Sequence, residues 1–174
     1  MWSRENTFET LVHIILEQQV SLASALSALN KLRAKITHIT PENFLKLNDE
    51  ELKACYFSRQ KTIYVRGLAE VLHTGSLNLV MLETLSNDEI RSLLIKINGF
   101  GHWTIDIYLI FVLKRMDIFP SGDLAAVKAL KRIKKLPTDA PKEKVLRISA
   151  RWSPYRTIAT MILWHYYLSA DRKS

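Results

Sequence analysis

Apolar residues at three- and four-residue spacing are the feature that most constrains the fold of this chain. The spacing is clear in two early segments, whose apolar positions are Leu11, Ile14, Ile15, Leu22, Ala25, Leu26, Leu29 and Leu32. Such a period is typical of amphipathic helices. Strand signals are nearly missing, because no Asn-Gly turn lies between two alternating apolar runs. The sequence therefore predicts an all-α protein.

Capping residues predict where several of these helices begin and end. Ser21 and Thr40 are N-cap candidates, and Pro41 fits the first helical position. A helix from Ser58 to His73 should close at Gly75, where glycine permits the left-handed conformation. The other predicted helices are 87 or 88 to about 97, 124–133, 145–151, and 154 or 155 to about 169.

Length and composition bound the protein classes. The chain has 174 residues with 48% apolar content, enough for one domain with a real core. Its longest apolar runs are too short to cross a bilayer, so we expect no membrane partner. Cys55 is the only cysteine, which excludes an intrachain disulfide, a four-cysteine zinc site and a cysteine-ligated iron-sulfur cluster. The five histidines show no metal-binding spacing.

The net charge of +8 is concentrated in the last third of the chain. Residues 114–174 carry 14 Lys and Arg against 5 Asp and Glu, whereas residues 1–113 carry 11 against 12. The sequence predicts a basic helix face formed by Lys128, Lys131, Arg132, Lys134 and Lys135. A one-sided basic surface suggests a polyanion such as nucleic acid, although an ordinary solvated surface explains the charge equally well.

A short glycine turn, Gly99-Phe100-Gly101, separates two helical patterns. Glycines there let the backbone approach a ligand closely, and the N-H groups and dipole at the start of the second helix favour an anion. The sequence thus predicts a phosphate-binding hairpin. A plain turn between helices remains the alternative, because such turns also favour glycine.

Three motifs in order resemble the helix-hairpin-helix superfamily of DNA glycosylases. The first is the loop Ile15–Ser21. The second is the hairpin with Leu94, Ile97, Trp103 and Thr104, followed by Asp123. The third is the run Arg151–Arg156, followed by Trp164. The last run resembles the 3-methyladenine DNA glycosylase II branch. The resemblance implies the helix-hairpin-helix glycosylase fold, with two helical lobes flanking a cleft. The implied single domain, 1–174, has one lobe at about 20–115 with hairpin 98–101, and a second at about 116–174 with the N-terminal helix.

The resemblance also implies a chemistry. Bifunctional members carry a lysine nucleophile two residues after the second hairpin glycine, where this chain has Trp103. In this respect the chain resembles the monofunctional members of the family, which use water as the nucleophile. Asp123 is the implied catalytic carboxylate, stabilising the charge that develops on the sugar. A helix N-cap is the alternative role for Asp123, and both roles are compatible. Asp106 is interpreted as structural.

Further site residues follow from the same resemblance. Trp103, Tyr108 and Trp164 are predicted to line the pocket for the extruded base, although the tyrosine position of the branch falls at Ile107. The predicted DNA-contacting residues are Gln18, Gln19, Gly99, Phe100, Gly101, His102 and Thr104. Gln18 and Gln19 stand where the family inserts a wedge into the duplex. The carbonyls of Ile95, Ile97 and Phe100 resemble ligands of a structural Na⁺ or K⁺ ion.

These expectations define a monofunctional DNA glycosylase of base excision repair, which excises alkylated purines such as 3-methyladenine and leaves an abasic site. No cofactor is required, and the partner is double-stranded DNA containing damaged bases. We expect a monomer in the cytoplasm, at the bacterial nucleoid, or in a eukaryotic nucleus. The alternatives are a non-catalytic DNA-binding module and a helical protein-interaction domain. Some members of the branch have an additional N-terminal domain, so this chain is either a compact form or a trimmed one.

Overall fold

The computed structural model describes residues 3–170, which form α-helices and no strands, so the all-α prediction is confirmed. The helices are α1 (Phe8–Leu16), α2 (Leu22–Lys35), α3 (Pro41–Leu45), α4 (Asp49–Ala54), α5 (Arg59–His73), α6 (Leu79–Thr84), α7 (Asn87–Leu94), α8 (His102–Phe111), α9 (Leu124–Ile133), α10 (Lys142–Ala150) and α11 (Arg156–Ala170). None of the helices in this described part is long and apolar enough to cross a membrane.

The predicted caps set the helix starts. Ser21, Thr40 and Ser58 each accept a backbone N-H three residues on, which satisfies a donor that the first turn leaves unpaired. Helix α5 ends at His73, and Gly75 follows with a φ of +73°. These local predictions are confirmed because each depends only on residues within one turn of the boundary.

Three predicted boundaries differ from the structure. Helix α7 ends at Leu94 rather than near residue 97, because the chain turns into the hairpin from Ile95 onward. Helix α10 begins at Lys142 rather than Val145, directly after Pro141 at the N-cap position. Helix α11 begins at Arg156, since residues 151–154 form turns.

The chain divides into two compact units between Tyr108 and Leu109. In the first unit α5 packs against α1, α3 and α4, and α1 also packs against α2. The predicted boundaries grouped the N-terminal helix with the second lobe, whereas α1 makes these contacts within the first unit. Rings of Phe8 and Phe44 meet edge to face at 5.9 Å, which joins α1 to α3. The single-domain assignment and the lobe limits stay predictions.

The second unit is built on α9, which packs against α10 and α11. Its buried cluster consists of Phe119, Ala129, Leu130, Val145 and Leu163. The residues that α9 buries are Ala126, Ala129 and Leu130. This packing places the start of α9 beside the middle of α11, and both carry predicted site residues.

Candidate active site

The hairpin is a hydrogen-bonded turn between α7 and α8. The N-H of Ile97 donates to the carbonyl of Leu94, and the N-H of Phe100 donates to the carbonyl of Ile97, each at 3.0 Å. The Phe100 side chain is buried. Gly101 and His102 are exposed where α8 begins, so we call residues 101–103 the open end of α8.

The two hairpin glycines differ in whether the fold requires glycine at their positions. Gly99 has a φ of +91°, and an added Cβ would lie 2.4 Å from Cγ of Tyr64. The fold itself therefore requires glycine at this position. An added Cβ at Gly101 would meet nothing within 4 Å, and its φ is not in the left-handed region. Gly101 is exposed at the start of α8, and the phosphate contact predicted there stays a prediction.

The loop between α1 and α2 holds the two predicted wedge residues, and we call residues 17–20 the wedge loop. Gln18 is half-buried, and its Nε2 donates to the carbonyl of Gly99 and to Oγ1 of Thr104, both at 2.9 Å. Gln19 is exposed, with a φ of +57°. The structure thus brings Gln18 to the hairpin, whereas Gln19 faces solvent.

Thr104 is buried, although the sequence predicted a DNA contact for it. Its hydroxyl is the acceptor of the Gln18 amide rather than a surface group. This correction has a simple cause, because Thr104 lies on the inner side of the first turn of α8. Among the predicted contact residues near the hairpin, His102 is exposed and remains available to a ligand.

Asp106 is buried and forms an ion pair with Arg91 of α7. Burial raises the pKa of Asp106 above its usual range, and the neighbouring Arg91 guanidinium acts in the opposite direction. The pair ties the two helices of the hairpin together. This contact supports the structural role that the sequence analysis gave to Asp106.

Tyr108 was predicted to line the base pocket, and the structure corrects that prediction. Its ring is 0% exposed, and its hydroxyl donates to Oδ1 of Asn6 at 2.8 Å. Asn6 in turn donates to the carbonyl of Leu79 at 2.8 Å. Tyr108 is therefore a core residue, and its hydrogen bond to Asn6 holds the N-terminal segment against α8. Trp103 is half-buried in the first turn of α8.

Asp123 is the N-cap of α9, as its alternative role predicted. Its Oδ1 accepts the N-H of Ala126 at 2.8 Å and the indole Nε1-H of Trp164 at 2.9 Å. Trp164 is 7% exposed and stacks on Phe111, with 5.4 Å between ring centroids. Two N-H donors and the start of a helix thus hold one carboxylate in a fixed orientation that suits negative charge.

The start of α11 is fastened by a second carboxylate. Asp117 accepts from Nε and Nη2 of Arg156 at 2.6 and 2.9 Å, and from Oγ of Ser153 at 2.9 Å. The Arg156 guanidinium lowers the pKa of Asp117 to about 2. These contacts fix the helix that carries Trp164. The sequence predicted no contact for the motif Arg151–Arg156.

Two further predictions concern ions. No group of three or more His, Cys, Asp or Glu side chains suited to a metal occurs among residues 3–170. The carbonyls of Ile95 and Ile97 lie at the C-terminal end of α7, where the helix dipole favours a cation, and all-oxygen ligation fits Na⁺ or K⁺. The monovalent site stays a prediction.

On the basic face, Lys128, Arg132, Lys134 and Lys135 are exposed, whereas Lys131 donates to the carbonyl of Thr138.

The helical architecture, the glycine hairpin and the carboxylate at the start of α9 define a protein of the helix-hairpin-helix class. A sequence profile described as "HhH-GPD superfamily base excision DNA repair protein" matches residues 12–154. The chain belongs to this family, which confirms the family and fold-class predictions.

Relatives extend the similarity over nearly the whole chain. DNA-3-methyladenine glycosylase 1 of Schizosaccharomyces pombe is 30% identical over 172 residues, which cover 97% of this chain and 75% of that protein. The solved structure of S. pombe 3-methyladenine DNA glycosylase Mag1 with abasic DNA matches with a TM-score of 0.86 and 31% identity, covering 94% and 82% of the two chains. A Bacillus halodurans DNA-3-methyladenine glycosidase matches with a TM-score of 0.81 and 27% identity, covering 95% and 77%.

Proposed function

We propose that this base excision repair protein is a monofunctional alkylbase DNA glycosylase. It binds duplex DNA, extrudes an alkylated purine such as 3-methyladenine, and hydrolyses the bond between base and sugar to leave an abasic site. The names of the relatives support the substrate class, and the abasic DNA bound to Mag1 fits the product. The single observation that carries the proposal is the doubly hydrogen-bonded carboxylate of Asp123.

Breaking an N-glycosidic bond creates positive charge on the sugar. A carboxylate held close to that charge stabilises it or orients the attacking water, and it works best when its orientation is set in advance. The Ala126 N-H and the Trp164 indole set the orientation of Asp123. An alkylated purine carries positive charge and leaves readily, so the site needs no strong general acid.

Water is the proposed nucleophile because Trp103 stands where lyase members carry lysine. An indole cannot form the Schiff base through which a lyase cleaves the strand. Borohydride should therefore trap no covalent complex with alkylated or abasic duplex. A borohydride-stable complex formed by the wild-type chain would contradict the monofunctional assignment.

DNA binding is assigned to the first unit and to the basic face of α9. The open end of α8 takes a phosphate, and the carbonyls of Ile95, Ile97 and Phe100 would hold a monovalent cation that would support that grip without entering the chemistry. The exposed Gln19 is the wedge that replaces stacking at the vacated position. The protein acts as a monomer.

Asp123→Asn is the sharpest test, because asparagine is also a good N-cap and its Oδ1 can accept both hydrogen bonds. The variant loses the negative charge and keeps the local structure. We expect base release to fall by about 100-fold or more, with the melting temperature and the binding of abasic duplex unchanged. Asp139→Asn, in an exposed loop, is the control with the same charge change.

The substrates are duplexes containing 3-methyladenine, 7-methylguanine, ethenoadenine, hypoxanthine or uracil. Full turnover by Asp123→Asn would refute the role of Asp123. Tight binding without release from any duplex by the wild-type chain would favour the non-catalytic DNA-binding module. Absent or salt-independent DNA affinity would favour a protein-interaction domain, because phosphate contacts weaken steeply with salt.

A further inference from the structure

The two adjacent glutamines of the wedge loop have opposite surroundings. Gln19 is exposed, whereas Gln18 is half-buried and its amide donates one hydrogen bond to the hairpin and one to the first turn of α8. One acceptor, the Gly99 carbonyl, precedes the open end of α8, and the other, the Thr104 hydroxyl, follows it. The two bonds therefore flank the proposed phosphate-binding backbone.

Neighbouring contacts hold the base of the same loop. Nζ of Lys61 donates to the carbonyl of Leu16 at 2.6 Å, and Arg4 makes two bonds to Glu17 at 3.0 and 2.7 Å. These contacts join the loop to the body of the first unit but not to the hairpin. Gln18 makes a direct side-chain connection between the loop and the hairpin.

We propose that Gln18 is a positioning residue that couples the wedge to the phosphate grip. The proposal rests on the function proposed above, since it requires a nucleotide that leaves the duplex. With the bonds in place, Gln19 is presented at a fixed distance from the open end of α8. Insertion of Gln19 and capture of the phosphate then require little reordering of the loop. Gln18 itself does not enter the duplex, because that would break both of its bonds.

The test uses near-isosteric methionine, which keeps the length of the side chain and removes both donors. Gln18→Met and the matched Gln19→Met are compared with wild type on two duplexes of one sequence, one undamaged and one with a tetrahydrofuran abasic analogue. The measured quantity is the ratio of the two affinities. Gln18→Met should lower this preference for the abasic analogue about fivefold, the effect of losing hydrogen bonds worth about 1 kcal/mol in all. Its affinity for undamaged duplex and the salt dependence of that affinity should change less than about twofold.

A double substitution separates coupling from independent contacts. Because Gln18 acts through Gln19, Gln18→Met combined with Gln19→Ala should show no lower preference than Gln19→Ala alone. Multiplicative losses would overturn the proposal, as would an equal loss of affinity for both duplexes. A wild-type chain that does not prefer the abasic analogue would overturn it as well.

Thr104→Val removes one acceptor without changing the loop, so it tests the proposal even if Gln18→Met fails to fold. It should lower the preference in the same direction but less, and an unchanged preference would contradict the coupling. Failure of the proposed function is seen separately. It would appear as no base release by the wild-type chain, whereas failure of this inference would appear as an unchanged preference in Gln18→Met.

Discussion

Helices α8 and α9 begin in opposite ways. The N-cap of helix α9 is Asp123, whose carboxylate accepts a hydrogen bond from the Ala126 N-H. Helix α8 follows Gly101, which has no side chain to offer to the first turn. One helix start thus carries a charge of the protein's own, and the other, exposed at Gly101 and His102, is where we propose that a phosphate binds.

The difference shows how fold and function share residues in this protein. At α9 one residue has both roles, because Asp123 caps the helix and is the proposed catalytic carboxylate. At the hairpin the roles are divided, since Gly99 is required by the left-handed turn and by Tyr64, whereas nothing inside the chain requires glycine at position 101. A substitution that removes both the charge and the cap at Asp123 should therefore affect stability and function together, whereas substitutions at the two glycines should affect them separately.

The largest expected effect is that of Asp123→Ala. Base release should fall as far as in Asp123→Asn, by about 100-fold or more. In addition, the free energy of unfolding should drop by about 1–2 kcal/mol, because the cap is lost and the Trp164 indole loses its acceptor. Urea denaturation of both variants measures the difference. Equal stability of the alanine and asparagine variants would show that Asp123 has no capping role.

Gly99→Ala should act mainly on stability. The added methyl group must displace the Tyr64 ring and adopt a left-handed φ, which together should cost about 2–3 kcal/mol of unfolding free energy. The same measurement on Gly101→Ala provides the matched comparison, with an expected change within about 0.5 kcal/mol. If both alanine variants were equally stable, the division of roles between the two glycines would be wrong.

Gly101→Ala should act mainly on DNA binding. A methyl group at the open end of α8 hinders the approach of a phosphate, so affinity for duplex should fall about fivefold, the effect of losing about 1 kcal/mol of anion binding. The slope of log affinity against log salt should also decrease by about 1. Gly67→Ala is the control, because an added Cβ there also meets nothing within 4 Å but lies within α5. Unchanged affinity in Gly101→Ala would contradict the proposed contact between the hairpin and DNA.

Local features were predictable from the sequence, and contacts between distant segments were not. The capping role of Asp123 follows from the helical pattern that begins at Leu124, and the hairpin follows from its two glycines. The bond from Trp164 to Asp123 spans 41 positions, and the bonds of Gln18 to the hairpin span 81 and 86. No local period encodes such pairs.

The same limit explains the two corrected site residues. Tyr108 is aromatic and lies close to the tyrosine position of the branch, so the sequence favoured a place in the base pocket. Its hydroxyl is bonded to Asn6, 102 positions away, and this contact decides that the ring belongs to the core. Thr104 likewise turns inward to Gln18. In both cases the partner that holds the side chain inside the protein lies far away in sequence and is not visible locally.

The smallest expected effect concerns pH and the Asp117–Arg156 pair. The folded chain lowers the pKa of Asp117 from 3.8 to about 2, so the fold favours the ionised carboxylate. This contribution to stability is fully present above the unfolded value of 3.8 and is lost as the pH falls toward 2. Asp117→Asn removes it. The unfolding free energy should then fall by less than about 1 kcal/mol at neutral pH, because both side chains are partly exposed.

Urea titrations between neutral and acidic pH measure this difference. The stability gap between wild type and Asp117→Asn should be constant at neutral pH and should shrink below the unfolded pKa of 3.8. Asp139→Asn, on an exposed loop, is the control with the same charge change. Because Arg156 begins the helix that carries Trp164, a loose α11 should also slow base release slightly in Asp117→Asn. A pH-independent gap would mean that α11 is held by packing on α9 rather than by this ion pair, and the orientation of Asp123 would then depend on that packing alone.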